Sequence, residues 1–272
     1  MEAINAILRA AAGALLGALS ALPEWAVMAV LAFVVTLIAM PIMKWTFNLA
    51  LAERFKRQIY ASLFEIRLFN DRLGATFLGL FNVLRFTGGY LGSWLLPILL
   101  MSIPMAPIFV FLHFHYSYEG VRPGASTVLT AEFAAARDGG KPAAAVSAPA
   151  GVRVDTPALW IPAQRQLAWR LAAEKPGDYE LELAIDGRDY TKTLVVSDDA
   201  ALRSPLRPRA SLFRQMIYPA EPPLPADSPL AAITVEYAEK GSFLFVPAWG
   251  WILLLFTVPW FLLLKRPFGV EI

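Results

Sequence analysis

Residues 86–118 read FTGGYLGSWLLPILLMSIPMAPIFVFLHFHYSY, 33 residues without one Asp, Glu, Lys or Arg. A helix rises ~1.5 Å per residue and needs about 20 apolar residues to cross the ~30 Å hydrocarbon layer of a bilayer, so this run is long enough to span one. Outward from it in both directions, residues 25–43 and 241–264 are also uncharged and of similar reach. The composition agrees: 57% of the 272 residues are hydrophobic and 17% charged, against roughly 45–50% and 25% in soluble domains. The sequence therefore predicts three membrane helices, at 25–45, 86–118 and 241–264. Pro97, Pro104 and Pro107 each remove a backbone donor from the 86–118 run, which predicts a kinked or interrupted helix packed against its neighbours.

Charge sets the expected orientation. Residues 44–85 carry Lys44, Arg54, Lys56, Arg57, Arg67, Arg72 and Arg85 against Glu53, Glu65 and Asp71, whereas residues 1–24 carry Glu2, Arg9 and Glu24. The positive-inside rule places 44–85 in the cytoplasm, with the N-terminus and residues 119–240 outside and the tail 265–272, opening on Lys265 and Arg266, inside. Trp25 and Trp45 frame the first span about 30 Å apart, as interfacial anchors do. The expected location is a bacterial inner (plasma) membrane. Residues 1–24 read as an amphipathic helix on the outer surface, from the spacing of Ile4, Ile7, Leu8, Ala11, Leu15, Leu19 and Leu22; the alternative is a signal-peptide core at 10–22.

Between the first two spans, residues 46–85 place Phe55, Ile59, Ser62, Leu63, Ile66, Phe69 and Leu73 on one helical stripe. Asn70, Asp71 and Gly74 suggest a break, after which Phe77, Leu80, Phe81 and Leu84 resume the period. The segment is expected to form a helical hairpin or one bent helix on the inner leaflet, with Arg54, Lys56 and Arg57 meeting anionic headgroups or simply solvated.

An outside-in span, a basic cytosolic helical segment and a Pro-broken span reading WLLPILLMSIPMAPIFVFLHF together resemble the YidC/Oxa/Alb membrane insertases over residues 25–116. The resemblance implies a groove that shelters polar parts of a client during insertion, with no covalent chemistry. Its lining would be Thr36, Met40, Met43, Lys44 and Asn48 from the first span and its inner end, facing Met101, Ser102 and Met105. Ordinary helix packing for the methionines and snorkelling for Lys44 are the alternative readings. The segments SLFEIRLFND and KRPFGVEI also look like an uncharacterised family of bacterial membrane proteins, a resemblance that implies architecture without activity.

Residues 119–240 hold 14 Lys/Arg and 16 Asp/Glu, the composition of a water-exposed domain. Leu167, Trp169 and Leu171, then Tyr179, Leu181, Leu183 and Ile185, alternate with polar residues as strands do, and Pro176-Gly177 and Asp186-Gly187 are turn signals. With Thr127–Phe133 and Ile233–Tyr237, five to seven short strands predict an all-β, immunoglobulin-like sandwich inserted between the second and third spans. Residues 138–151 are expected to be a mobile loop and residues 204–229 an extended strap.

No cysteine and only two histidines are present, and no nucleophile elbow, Walker loop or dinucleotide fingerprint occurs. The expectation is a non-enzyme without metal or cofactor and without a nucleic-acid partner. Its partners would be the lipid bilayer together with membrane-protein clients, in insertion, folding or assembly. The alternative is an accessory or scaffold subunit that binds a fixed membrane-complex partner through the sandwich.

Overall fold

The computed structural model describes residues 2–19, 21–69, 71–135 and 140–270. It divides into two compact units, one of Met1–Ala21 with Pro107–Trp251, the other of Leu22–Ala106 with Ile252–Ile272. The helices are α1 Glu2–Leu19, α2 Glu24–Thr46, α3 Leu49–Leu68, α4 Leu73–Tyr116, α5 Leu212–Ile217 and α6 Ala248–Phe268. Among the described residues three of them, α2, α4 and α6, are long and apolar enough to cross a membrane.

In the helical unit, α2 starts behind Pro23 with Glu24 in its first turn and ends with Lys44 in its last, charges placed to suit the helix dipole. Its buried residues Val27, Met28, Leu31, Ala32, Val35, Thr36 and Met40 recur at three- and four-residue steps, so one face is packed. From α6, Trp260 donates its indole N–H to the Ala29 carbonyl at 2.9 Å and sets its ring edge-on to Phe33. Phe47, just past α2, packs on Trp94 of α4 at 4.5 Å between ring centres.

The segment expected at 46–85 does not end where the second span begins. The chain turns at 69–72, where Arg72 N–H reaches the Phe69 carbonyl, and α4 then runs for 44 residues without a break. At ~1.5 Å per residue that is about 66 Å, twice the hydrocarbon thickness. Pro97, Pro104 and Pro107 leave α4 continuous, since each deletes one backbone bond while the flanking turns keep theirs. Asn70, part of the expected break, lies outside the described residues. The pairing of α3 with the first half of α4 is a helical hairpin held by close approach at two glycines. A Cβ added at Gly79 would lie 2.5 Å from Ile66, and one at Gly89 2.5 Å from Phe55.

The β unit is two antiparallel sheets around one core. Its strands are β1 Ser126–Phe133, β2 Ala144–Ser147, β3 Val152–Val154, β4 Leu159–Ile161, β5 Gln166–Ala173, β6 Gly177–Ile185, β7 Arg188–Val196, β8 Leu206–Pro208 and β9 Leu230–Val235. One sheet runs β3-β5-β1-β9-β8, with β4 also on β5; the other runs β2-β6-β7. Alternate side chains of both, Leu129, Leu167, Trp169 and Leu171 from the first and Leu181, Leu183, Ile185 and Leu194 from the second, meet in the same buried cluster. Asp186-Gly187 forms the two-residue β6–β7 turn, both at positive φ (49° and 75°), which this residue pair tolerates.

Three stretches differ from the sequence expectation. Part of the expected loop 138–151 is β2, whose Val146 pairs with Leu183, while residues 138–139 lie outside the described residues. The strap 204–229 contains β8 and α5. The expected third span at 241–264 begins instead with a hairpin, β10 Ser242–Phe243 and β11 Val246–Pro247, and its helix runs from Ala248 to Phe268. Pro247 lacks the N–H an earlier helical turn would need, and is tolerated just before α6 starts.

Candidate functional site

The residues expected to line a groove fall into two groups. Thr36, Met40 and Met105 are buried, and Met43 and Met101 half-buried. Lys44, Asn48 and Ser102 are exposed. The polar atoms among them already have local roles. Thr36 donates its hydroxyl to the Ala32 carbonyl and Ser102 to that of Leu99, each at 2.7 Å. Asn48 caps α3 by accepting from Leu51 N–H at 3.0 Å. A Cβ on Gly269, which follows α6 at φ 62°, would lie 3.7 Å from the Lys44 ammonium. Lys44 therefore stands where the C-terminal carbonyls of α6 favour a cation.

The open surface lies one helix further on, on the α3–α4 hairpin. Of the stripe read from the sequence, Ser62 is buried, and Phe55 and Ile66 pack against Gly89 and Gly79. A second row on α3, Tyr60, Phe64 and Leu68 at four-residue steps, points away from that contact and is exposed. On α4, Leu73, Phe77, Phe81 and Leu84 are exposed as well, with Phe64 at 67% and Phe81 at 62%. Soluble monomers rarely leave contiguous apolar patches larger than a few hundred Å². Arg54, Lys56, Arg57, Arg67 and Arg85 are exposed along the same two helices, and Arg72 in the turn between them. Among the described residues Arg57 alone of these six has an acidic partner, Glu53 at 2.9 Å, an exposed pair that adds roughly a few tenths of a kcal/mol. Sequence reading found the first stripe and the basic residues; the second row was equally visible as a four-residue repeat.

The β unit holds a network of buried charge. Lys192 of β7 sits in the core-facing register between Tyr190 and Leu194, fully buried. Its ammonium donates to the Ser204 carbonyl at 2.6 Å and to Glu221 Oε2. Glu221 also accepts from Ser204 Oγ at 2.6 Å, Thr193 N–H at 2.7 Å and the Thr193 hydroxyl. Burial by itself pushes the Glu221 carboxyl up, but the Lys192 charge and the bonds from Lys192, Ser204 and Thr193 outweigh it and hold the group below the ordinary carboxylate value. Arg207 ties the strap to β7 through the Thr191 carbonyl and hydroxyl, and bonds Pro222 O at 2.8 Å. Arg203 reaches the carbonyls of Tyr118, Ser197 and Asp199. At the N-terminus, Asn5 and Arg9 of α1 donate to the carbonyls of Gln215 and Pro219, both at 2.8 Å, fastening α1 to the strap.

Just before α6, Leu244 and Phe245 turn the β10–β11 hairpin at φ 49° and 64°. Left-handed backbone costs an L-residue about 1–2 kcal/mol, and neither residue has a side chain that relieves it. Phe243, Leu244 and Phe245 are nonetheless exposed, Phe245 completely. From the first turn of α6, Trp251 donates to the Phe243 carbonyl at 3.1 Å and packs on its ring, bracing the hairpin. Beside it Trp249 donates to Ser117 Oγ at 2.8 Å, and the same oxygen is hydrogen-bonded to His113 Nδ1 at 2.9 Å.

Among the described residues no three His, Asp or Glu side chains gather where a metal ion would be held. Compared with family models, with curated proteins and with solved structures, the chain finds no match.

Proposed function

We propose that this chain is an integral membrane protein that assists the insertion, folding or assembly of other membrane proteins, without covalent chemistry. In this reading α2, α4 and α6 cross a bacterial inner membrane. The β unit, an immunoglobulin-like module, stands outside it together with the N-terminus, and the α3–α4 hairpin lies at the inner leaflet.

The observation that carries it is the hairpin's open apolar row, Tyr60, Phe64, Leu68, Phe77 and Phe81, beside six exposed cations. Such a surface attracts anionic headgroups, at about 1 kcal/mol per Lys or Arg near the membrane. It also covers apolar client segments, at about 1.5–3 kcal/mol for each large side chain taken out of water. The resemblance to the YidC/Oxa/Alb insertases supports the same reading, with the hairpin rather than a polar groove as the contact surface.

The test is in-cell photocrosslinking from probes at Phe64 and Phe81, with a third probe at Glu182 on the outer face of β6. A spread of nascent membrane proteins captured from the hairpin is the expected result. A single stoichiometric partner captured only from Glu182 overturns it. That outcome would favour an accessory or scaffold subunit, a reading for which the exposed Phe213 and Met216 of α5 speak, because they leave an apolar surface on the β unit itself.

A further inference from the structure

We propose that the Leu244–Phe245 tip is a lipid-insertion element, seated in the headgroup layer of the extracytoplasmic leaflet, where it fixes the depth at which α6 enters the bilayer. The inference rests on the reading above that α6 crosses the membrane.

Among the described residues two strand pairs close through tight two-residue turns, and the chemistry of the turns differs. The β6–β7 turn uses Asp186-Gly187, the pair expected in water. The β10–β11 turn has the same positive-φ backbone but carries Leu and Phe, with Phe243 beside them, and all three side chains are exposed. A strained turn that displays apolar side chains to water gains nothing from either feature. In the amphiphilic layer above the hydrocarbon both become useful, since a tight turn projects two large side chains while the backbone stays in the polar zone.

Position singles out lipid as the occupant. Phe245 is three residues before Ala248, where α6 starts, and an extended chain covers about 11 Å over that interval. The headgroup layer is roughly 5–8 Å deep on each side, so the tip cannot stand clear of it by much. From Gly241 to Leu264 the chain has no charged residue, the hairpin included. Trp249 and Trp251 follow directly, in the place of an interfacial aromatic belt, and the Trp251 indole holds Phe243 from the first turn of α6. Gly250 leaves room for the Val246 side chain of β11: a Cβ there would lie 2.8 Å from it.

The chain has no cysteine, so single-cysteine variants of the full-length protein can carry one environment-sensitive NBD label each. Phe245→Cys, Leu255→Cys on the open face of α6 and Glu182→Cys on β6 would be reconstituted in phosphatidylcholine nanodiscs. Quenching would be compared for headgroup-nitroxide lipid, acyl-chain-nitroxide lipid and aqueous iodide. The expected result is quenching at 245 by headgroup nitroxide at least about twofold stronger than at 182, with 255 quenched best by acyl-chain nitroxide. If 255 behaves so but 245 follows 182 and yields to iodide, the tip proposal is overturned while the spanning role of α6 stands. Protection of 245 from both lipid and aqueous quenchers overturns it in favour of a protein partner on the tip. Failure of lipid to quench 255 removes the spanning helix, and the proposal with it.

Discussion

The two units treat their polar groups in opposite ways. In the helical unit, the hydroxyls of Thr36, Thr46, Ser93, Ser102 and Thr257 all donate to carbonyls three or four residues back in their own helix. In the β unit, Lys192, Arg203, Arg207 and Glu221 reach across the chain to partners on other elements. The apolar residues divide too. The β unit gathers Leu129, Leu167, Leu181 and Leu194 into one core, whereas Leu95, Ile98, Leu99 and Ile103 of α4 and Leu254, Leu255 and Leu262 of α6 point outward. A segment whose hydroxyls are satisfied within single helices leaves few polar groups for its surroundings to meet, which suits hydrocarbon. A unit that folds in water draws its specificity from long-range pairing around a dry core.

The sharpest way to break this comparison is to remove one half of the buried pair. Glu221→Gln leaves the Lys192 ammonium in the core without its counter-charge and should destabilise the β unit by about 3–5 kcal/mol. Lys192→Met with Glu221→Leu removes both charges and should restore most of that loss, because pairs replaced by apolar side chains of similar size are often neutral. Thermal unfolding followed by tryptophan fluorescence reads both, since Trp169 lies in this core. Equal damage from the single and double variants would mean that the pair does not act as a unit.

The same pair gives the β unit an acid limit. The folded carboxyl of Glu221 is held below its unfolded value, so its contribution is complete above the ordinary glutamate pKa of about 4.3 and is lost as pH falls through the lower folded value. Wild-type stability should fall with decreasing pH in that window by up to about 1.4 kcal/mol per unit from this group, and Glu221→Gln should show a shallower slope. Parallel slopes would assign the acid limit to other carboxylates.

Strand parity made much of the β unit legible. Leu167, Trp169 and Leu171 fall on one face of β5 as their alternation demands, and Asp186-Gly187 is the turn its chemistry specifies. The same parity put Lys192 on the face of Tyr190 and Leu194, a sign of burial that its charge disguised. Glu221 was not legible, because it is 29 residues away in an irregular strap with no period to follow. In the helical unit, hydropathy located the three long helices but not their ends. An uncharged run reads the same whether it is helix or hairpin, which hid β10 and β11. Of the candidate site, the sequence placed the basic residues of α3 and a stripe of which Phe55, Ser62 and Ile66 face α4 while Leu63 and Phe69 stay exposed; Tyr60, Phe64 and Leu68 do not stand out in it, because one stripe already accounts for the amphipathicity.

Neighbouring glycines in α4 sharpen the helical side. Gly89→Ala forces a methyl against the Phe55 ring and should loosen the hairpin by about 1–3 kcal/mol, as overpacking does. Gly88→Ala meets nothing within 4 Å and should add up to about 1 kcal/mol through helix propensity. Amide hydrogen exchange along α3 would report the difference: faster in the first variant, unchanged in the second.

The smallest effect on stability belongs to the surface that matters most for the proposed function. Phe64→Ser and Phe81→Ser replace exposed side chains that anchor nothing in the fold. Surface changes of this kind usually fall within about ±0.5 kcal/mol, so the unfolding midpoint of the double variant should stay near wild type. Capture of nascent membrane proteins, followed from a probe at Phe77 in the same row, should nevertheless drop several-fold. A core residue would lose stability first and function as a consequence, and a lipid-facing residue with no client would lose neither. Loss of capture at constant stability is the outcome that distinguishes a client surface from both. Unchanged capture would mean that the open row of the hairpin is not a client surface.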